Sequence, residues 1–126
     1  MKGAYLLSES QRLFDDAKRV LVGLGAQCSR DGDVVQIENE KGELFTLFDN
    51  AEPESEFKQE PLTAAPGVEL PDVSRMKGLA VECRSEAQFA SLAKAIAAGS
   101  SSEVWVEDGD GVIWHASDVD PKRVRL

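Results

Sequence analysis

The sequence predicts an α+β fold made of two β-α-β-β pseudo-repeats, with antiparallel sheets that each carry one helix packed on a face. Three observations lead there. Two amphipathic runs with helical spacing follow similar starts, Ser8-Glu9-Ser10-Gln11 and Ser85-Glu86-Ala87-Gln88. Each run is succeeded by two β-prone stretches around a glycine-bearing turn. Residues 37–45 also align with residues 106–114 without a gap. Each such unit covers one sheet face with its own helix and needs the other unit to complete its burial.

Taken in order, residues 4–7 form a short apolar run, either a first strand or the lead-in to a helix. Ser8 and Gln11 have capping-box spacing: the hydroxyl accepts a first-turn N–H while the glutamine reaches back. Leu13, Phe14, Ala17, Val20, Leu21 and Leu24 then recur on one side, with Arg12, Asp15, Asp16, Lys18 and Arg19 on the other, and Gly23 and Gly25 supply a stop. This predicts a helix over 9–24. Residues 34–38 and 43–48, around the turn 39–42, read as a hairpin whose return strand is apolar on both faces and therefore central in its sheet.

From residue 49 to 72 the periodicity fails. Pro53, Pro61, Pro66 and Pro71 punctuate the segment, and Glu52, Glu54, Glu56 and Glu60 load it with negative charge. A connection of this length is a functional loop or a linker between two halves. Residues 79–83 read as a strand. Phe89, Leu92, Ala93, Ile96 and Ala97 form the stripe of a second helix that ends at Gly99. Residues 104–107 and 112–115 flank Asp108-Gly109-Asp110-Gly111 as a second hairpin. After a turn at 118–121, the basic tail 122–126 is a candidate final short strand. The chain is thus expected to be one domain over 1–126, with units at about 4–49 and 78–126 and a connector at about 50–75.

In the second hairpin, a two- or four-residue turn sets Trp105 opposite Trp114 and Val106 opposite Ile113. The two indoles then share a face with Glu107 and Val112. There they are either core or a binding anchor rimmed by Glu107, Asp108 and Asp110.

Charge and chemistry narrow the function classes. Fourteen Lys and Arg against 23 Asp and Glu give a formal charge of −9, which repels nucleic acid and anionic membranes and attracts a basic partner. No apolar run is long enough to span a bilayer, and the first residues lack the pattern of a signal peptide, so the expected location is cytoplasmic. Cys28 and Cys83 read as two reduced, half-buried thiols, with a disulfide between them as the other option. His115 is the sole histidine, on a strand where it reads as a packing or rim residue, and neither cysteine has a neighbouring base in sequence, so no nucleophile–base pair is legible. Gly23 and Gly25 close a helix where a phosphate loop would open one. Asp108-Gly109-Asp110-Gly111 lacks the later ligands of a calcium loop and is explained by turn chemistry. The expectation is therefore no enzyme, no cofactor and no metal.

The phrases Trp105-Val106-Glu107-Asp108-Gly109-Asp110-Gly111 and Val119-Asp120-Pro121 look like those of uncharacterised bacterial domains. In overall character (small, acidic, α+β) the whole chain resembles the immunity proteins of bacterial polymorphic-toxin systems, including those paired with contact-dependent and type VI effectors. That resemblance implies a protein that neutralises a cognate toxin by covering or deforming its active site. No family residue carries over by position; the residues expected to meet a basic toxin are those of the acidic connector and the tryptophan hairpin, Glu52, Glu54, Glu56, Glu60, Trp105, Glu107, Asp108, Asp110 and Trp114. Two other classes stand beside it: an adaptor module, homodimeric through the tryptophan face, and a small-ligand-binding domain with its site between the repeats.

Overall fold

The computed structural model describes residues 3–49 and 63–126. Within them the fold is α+β: two helices and one mostly antiparallel sheet of eight strands. The strands are β1 (Gly3–Ser8), β2 (Gln27–Cys28), β3 (Val34–Glu38), β4 (Leu44–Phe48), β5 (Thr63–Ala64), β6 (Lys77–Cys83), β7 (Trp105–Glu107) and β8 (Val112–His115). The helices are α1 (Leu13–Gly23) and α2 (Glu86–Gly99). Short 3₁₀ turns occupy Val73–Arg75 and Ala116–Asp118. The strand order is β2-β3-β4-β6-β1-β7-β8-β5.

That order corrects the expectation of two sheets, each under its own helix. Strand β6 lies between β1 and β4, antiparallel to both, and β1 lies between β6 and β7, again antiparallel to both. Each half therefore makes a split β-α-β unit whose gap is filled by the first strand of the other half. The halves share an order of elements but not a placement. In the first half the return strand β4 joins the centre, whereas in the second the outgoing strand β7 does so. Both edges end in two-residue strands, which leave little unpaired backbone to recruit another chain.

The main core lies between the helices and one sheet face. Leu13, Ala17 and Leu21 of α1 and Phe89, Leu92, Ala93 and Ile96 of α2 pack on Leu6, Val35, Phe45, Leu47, Leu79, Val81, Val106 and Trp114. Leu24, expected on the buried stripe, is 56 % exposed, past the helix end. The helix α1 begins four residues later than its sequence pattern suggests. Ser8 is still in β1, paired with Lys77 and buried, so it cannot serve as a helix cap. Its Oγ instead accepts from Ser10 N–H (3.1 Å), and Ser10 Oγ accepts from Arg12 N–H (3.1 Å). Two stepped serine turns thus carry the chain off the sheet. At α2 the cap is as expected, with Ser85 Oγ accepting from Gln88 N–H at 3.1 Å. The Gln88 side chain departs from the box and donates to Glu43 O at 3.0 Å. The tail 122–126 forms no strand; Val124 is buried, and Gly109 N–H donates to Arg125 O.

The two hairpin turns are built alike. Asn39 Oδ1 accepts from Lys41 and Glu43 N–H (3.0 and 2.9 Å), and Asp108 Oδ1 accepts from Asp110 and Val112 N–H (2.9 and 3.0 Å). Each loop closes on a left-handed glycine, Gly42 (φ 77°) or Gly111 (φ 78°), a conformation that costs glycine least. Residues Asn39 and Glu43, like Asp108 and Val112, face each other across the ladder, so three residues form each loop. Odd loop length is what overturns the expected register: Trp105 opposes His115, and Val106 opposes Trp114. A one-residue slip moves a side chain to the other face, so the two indoles lie on opposite sides of the sheet.

Candidate interaction surface

Strand alternation assigns Tyr5, Leu7, Trp105, Glu107 and Ile113 to the sheet face away from the helices, together with Gln36, Thr46 and Glu82. This face has two parts. Over β1, β7 and β8 a satellite cluster of Leu7, Met76 and Ile113, with Tyr5, Val73 and Trp105, covers the sheet. The Val73–Arg75 turn brings Met76 there, capped by Asp72 Oδ1 accepting from Ser74 N–H at 3.0 Å.

Over β3, β4 and β6 lies a groove of about 520 Å³, lined by Gln36, Glu43, Leu44, Thr46, Glu82 and Arg84 among others. Leu44 is 45 % exposed. Gln36 Nε2 donates to Thr46 Oγ1 at 2.9 Å across the β3–β4 ladder, which fixes the floor. The rim is fastened to α2 by the Gln88–Glu43 bond. Below it the Cys83 thiol lies 3.4 Å from Ser85 O and 3.5 Å from Gln88 Oε1. Burial, then the neighbouring Glu43 and Glu86 carboxylates, push that thiol above its ordinary 9.0, against the Ser85 contact, so it stays a poor nucleophile. The groove therefore offers one large apolar side chain, Leu44, among polar groups of both signs, with carboxylates in excess.

The sequence-derived site divides differently. Glu52, Glu54, Glu56 and Glu60 lie outside the described residues. Trp114 is core, 6 % exposed, and Glu107 and Asp108 are buried where a solvated rim was expected. Asp108 is an internal fastener. Beyond its two turn bonds, its Oδ2 accepts from Trp114 Nε1 at 3.0 Å and from Arg125 N–H at 3.3 Å. Asp110 is exposed at the hairpin tip, while Trp105, half-buried, stands at the hairpin's far end beside His115 (ring centroids 5.7 Å apart). The proposed tryptophan anchor with its acidic rim is thus not assembled. Of the two cysteines, neither is half-buried: Cys28 is exposed and Cys83 buried, and both are free.

Sequence reasoning passed over Leu44, Glu82 and Arg84. The available signal was the two-faced apolar pattern of 43–48, which identifies a central strand but does not say that one of its faces stays open. It also passed over Asp16, placed on the solvent side yet buried. Asp16 Oδ2 accepts from Ser101 N–H (3.0 Å) and Oγ (2.9 Å), and Arg19 reaches its Oδ1 at 3.4 Å. These bonds, Ser101 first, hold its carboxyl below the ordinary 3.8 against the opposing effect of burial.

Among the described residues no group of three or more His, Cys, Asp or Glu side chains could hold a metal ion, and no helix is long and apolar enough to cross a membrane. Comparison with protein-family models, with curated proteins and with solved structures found no match.

Proposed function

We propose that this chain is a cytoplasmic binding protein of the immunity type, which neutralises a basic protein toxin by direct, non-covalent contact. The observation that carries the reading is the sheet face on β3, β4 and β6, which no element among the described residues covers. There Leu44 stands exposed beside Glu43 and Glu82, in a chain of net charge −9. An apolar contact with a charged surround is how a small interface gains both affinity and steering. The face sits on central strands, so a partner meets a rigid surface and little ordering entropy is lost.

Parallel pull-downs from the native lysate, with the wild-type chain and with a Leu44→Asp/Glu82→Lys chain, test this. The expected result is one basic protein retained by the first and lost by the second, with capture weakening as salt rises. Identical captured sets would refute the docking face.

A second reading has its own observation. The groove lies where β4 of the first half meets β6 of the second, and its volume is within the range of small-ligand sites. Thermal stabilisation by a small polar metabolite, lost in Gln36→Ala, would favour it over a protein partner.

A further inference from the structure

The chain contains three Asp–Gly steps, 31–32, 108–109 and 110–111, and the fold gives each a different environment. We propose that Asp31–Gly32, in the loop between β2 and β3, is a site of spontaneous isoaspartyl modification in the folded protein, and that the two steps in the tryptophan hairpin are protected. This chemistry is independent of the groove on β3, β4 and β6.

The step needs no co-reactant except water. The amide nitrogen of the glycine attacks Cγ of the neutral aspartic acid side chain. A new N–C bond forms, and the carboxyl OH leaves with the N–H proton as water, giving a five-membered succinimide. Water then opens the ring. Attack at Cγ restores aspartate; attack at the main-chain carbonyl leaves the backbone running through Cγ, an isoaspartate of unchanged mass. The reaction asks for a carboxyl free to turn, a following residue with no Cβ to crowd the ring, and a peptide that water reaches.

Asp31 meets these conditions. It is exposed, and its carboxylate has no hydrogen bond or ion pair among the described residues. Gly32 is only half-buried, in the left-handed region at φ 75°. The loop is closed by Gly32 N–H donating to Ser29 O at 3.0 Å and tied to α1 by Lys18 Nζ donating to Gly32 O at 3.2 Å. Ring closure therefore opens one bond between neutral groups, the least costly kind to lose, and leaves the tie to α1 in place.

The hairpin steps fail in two different ways. Asp108 is buried, and its carboxylate accepts from the N–H groups of Asp110, Val112, Trp114 Nε1 and Arg125. A succinimide there would forfeit bonds to a charged acceptor, which are the stronger ones. Asp110 is exposed, but Gly111 is buried; its N–H donates to Asp108 O at 3.1 Å, and its carbonyl accepts from Thr63 N–H at 3.2 Å beside the β5–β8 pairing. Reaction at Asp110 must therefore disturb the sheet edge.

The test incubates the folded chain and a guanidinium-unfolded sample in mildly acidic H₂¹⁸O until the unfolded sample has converted at all three steps. Peptides cut in ordinary water are then separated and sequenced by electron-transfer fragmentation, with ¹⁸O uptake and methylation by an isoaspartyl methyltransferase as markers. In the folded chain Asp31 should convert within about tenfold of its unfolded rate, while Asp108 and Asp110 should be slowed by more than about tenfold. Asp31→Glu, whose ring would be larger, should lose the marker at that position and keep the folded-state protection of the other two. Slowing of Asp31 beyond about tenfold, or folded-state conversion of Asp108 or Asp110 within about tenfold of the unfolded rate, would overturn the proposal.

Discussion

Replacing Asp108 by Asn isolates the work of a single oxygen atom. The Oδ1 bonds to Asp110 and Val112 N–H survive the change, because Asn39 makes the same pair of bonds at the matching position of the first hairpin. The amide nitrogen that replaces Oδ2 is a donor, and it meets two donors, Trp114 Nε1 and Arg125 N–H. A bond to a charged acceptor contributes about 1.5–3 kcal/mol, and a buried donor left alone costs its full desolvation. The Trp114 bond is buried at 3.0 Å, whereas the Arg125 bond is longer and partly exposed, so the indole carries most of the loss. The expected destabilisation is about 2–4 kcal/mol, read as a lower urea midpoint by far-UV circular dichroism at unchanged m-value. A cycle with Trp114→Phe, which removes the donor and keeps a ring, should make the Asn substitution milder by about 1–2 kcal/mol. Equal cost in both backgrounds, or a loss below about 0.5 kcal/mol in the wild type, would refute the assignment of Asp108 as the fastener of hairpin, indole and tail.

Three further outcomes follow from the packing. The folded carboxyl of Asp16 lies below 3.8, so its stabilisation is complete above that pH and is lost as pH falls through the folded value; Asp16→Asn should lower urea midpoints at neutral pH, and the two proteins should converge in acid. A methyl group at Gly99 would collide with Val20 Cγ2, so Gly99→Ala should cost about 1–3 kcal/mol and far less in a Val20→Ala background; undiminished cost there would count against a close helix contact at this point. In thiol titration Cys28 should react in the native protein and Cys83 only after unfolding, as their exposure dictates; rapid native labelling of both would contradict the buried position of Cys83.

The sequence alone determined the local elements, because their signals are local. Ser85 and the stripe Phe89, Leu92, Ala93 and Ile96 were enough to specify α2, and Asn39 with Gly42 and Asp108 with Gly111 were enough to specify where the two ribbons turn. Tertiary structure decided what depends on residues far apart. Strand order came from each half inserting its first strand into the other's gap, a choice that both β-α-β units leave open on their own. The face taken by each tryptophan turned on loop length, since one residue more or less inverts a strand whose period is two. Asp16 is buried because Ser101, 85 positions away, supplies the N–H and hydroxyl that make burial of a carboxylate tolerable. Likewise Leu44 belongs to a run that any central strand would share, and only the absence of a covering element among the described residues leaves its side chain exposed.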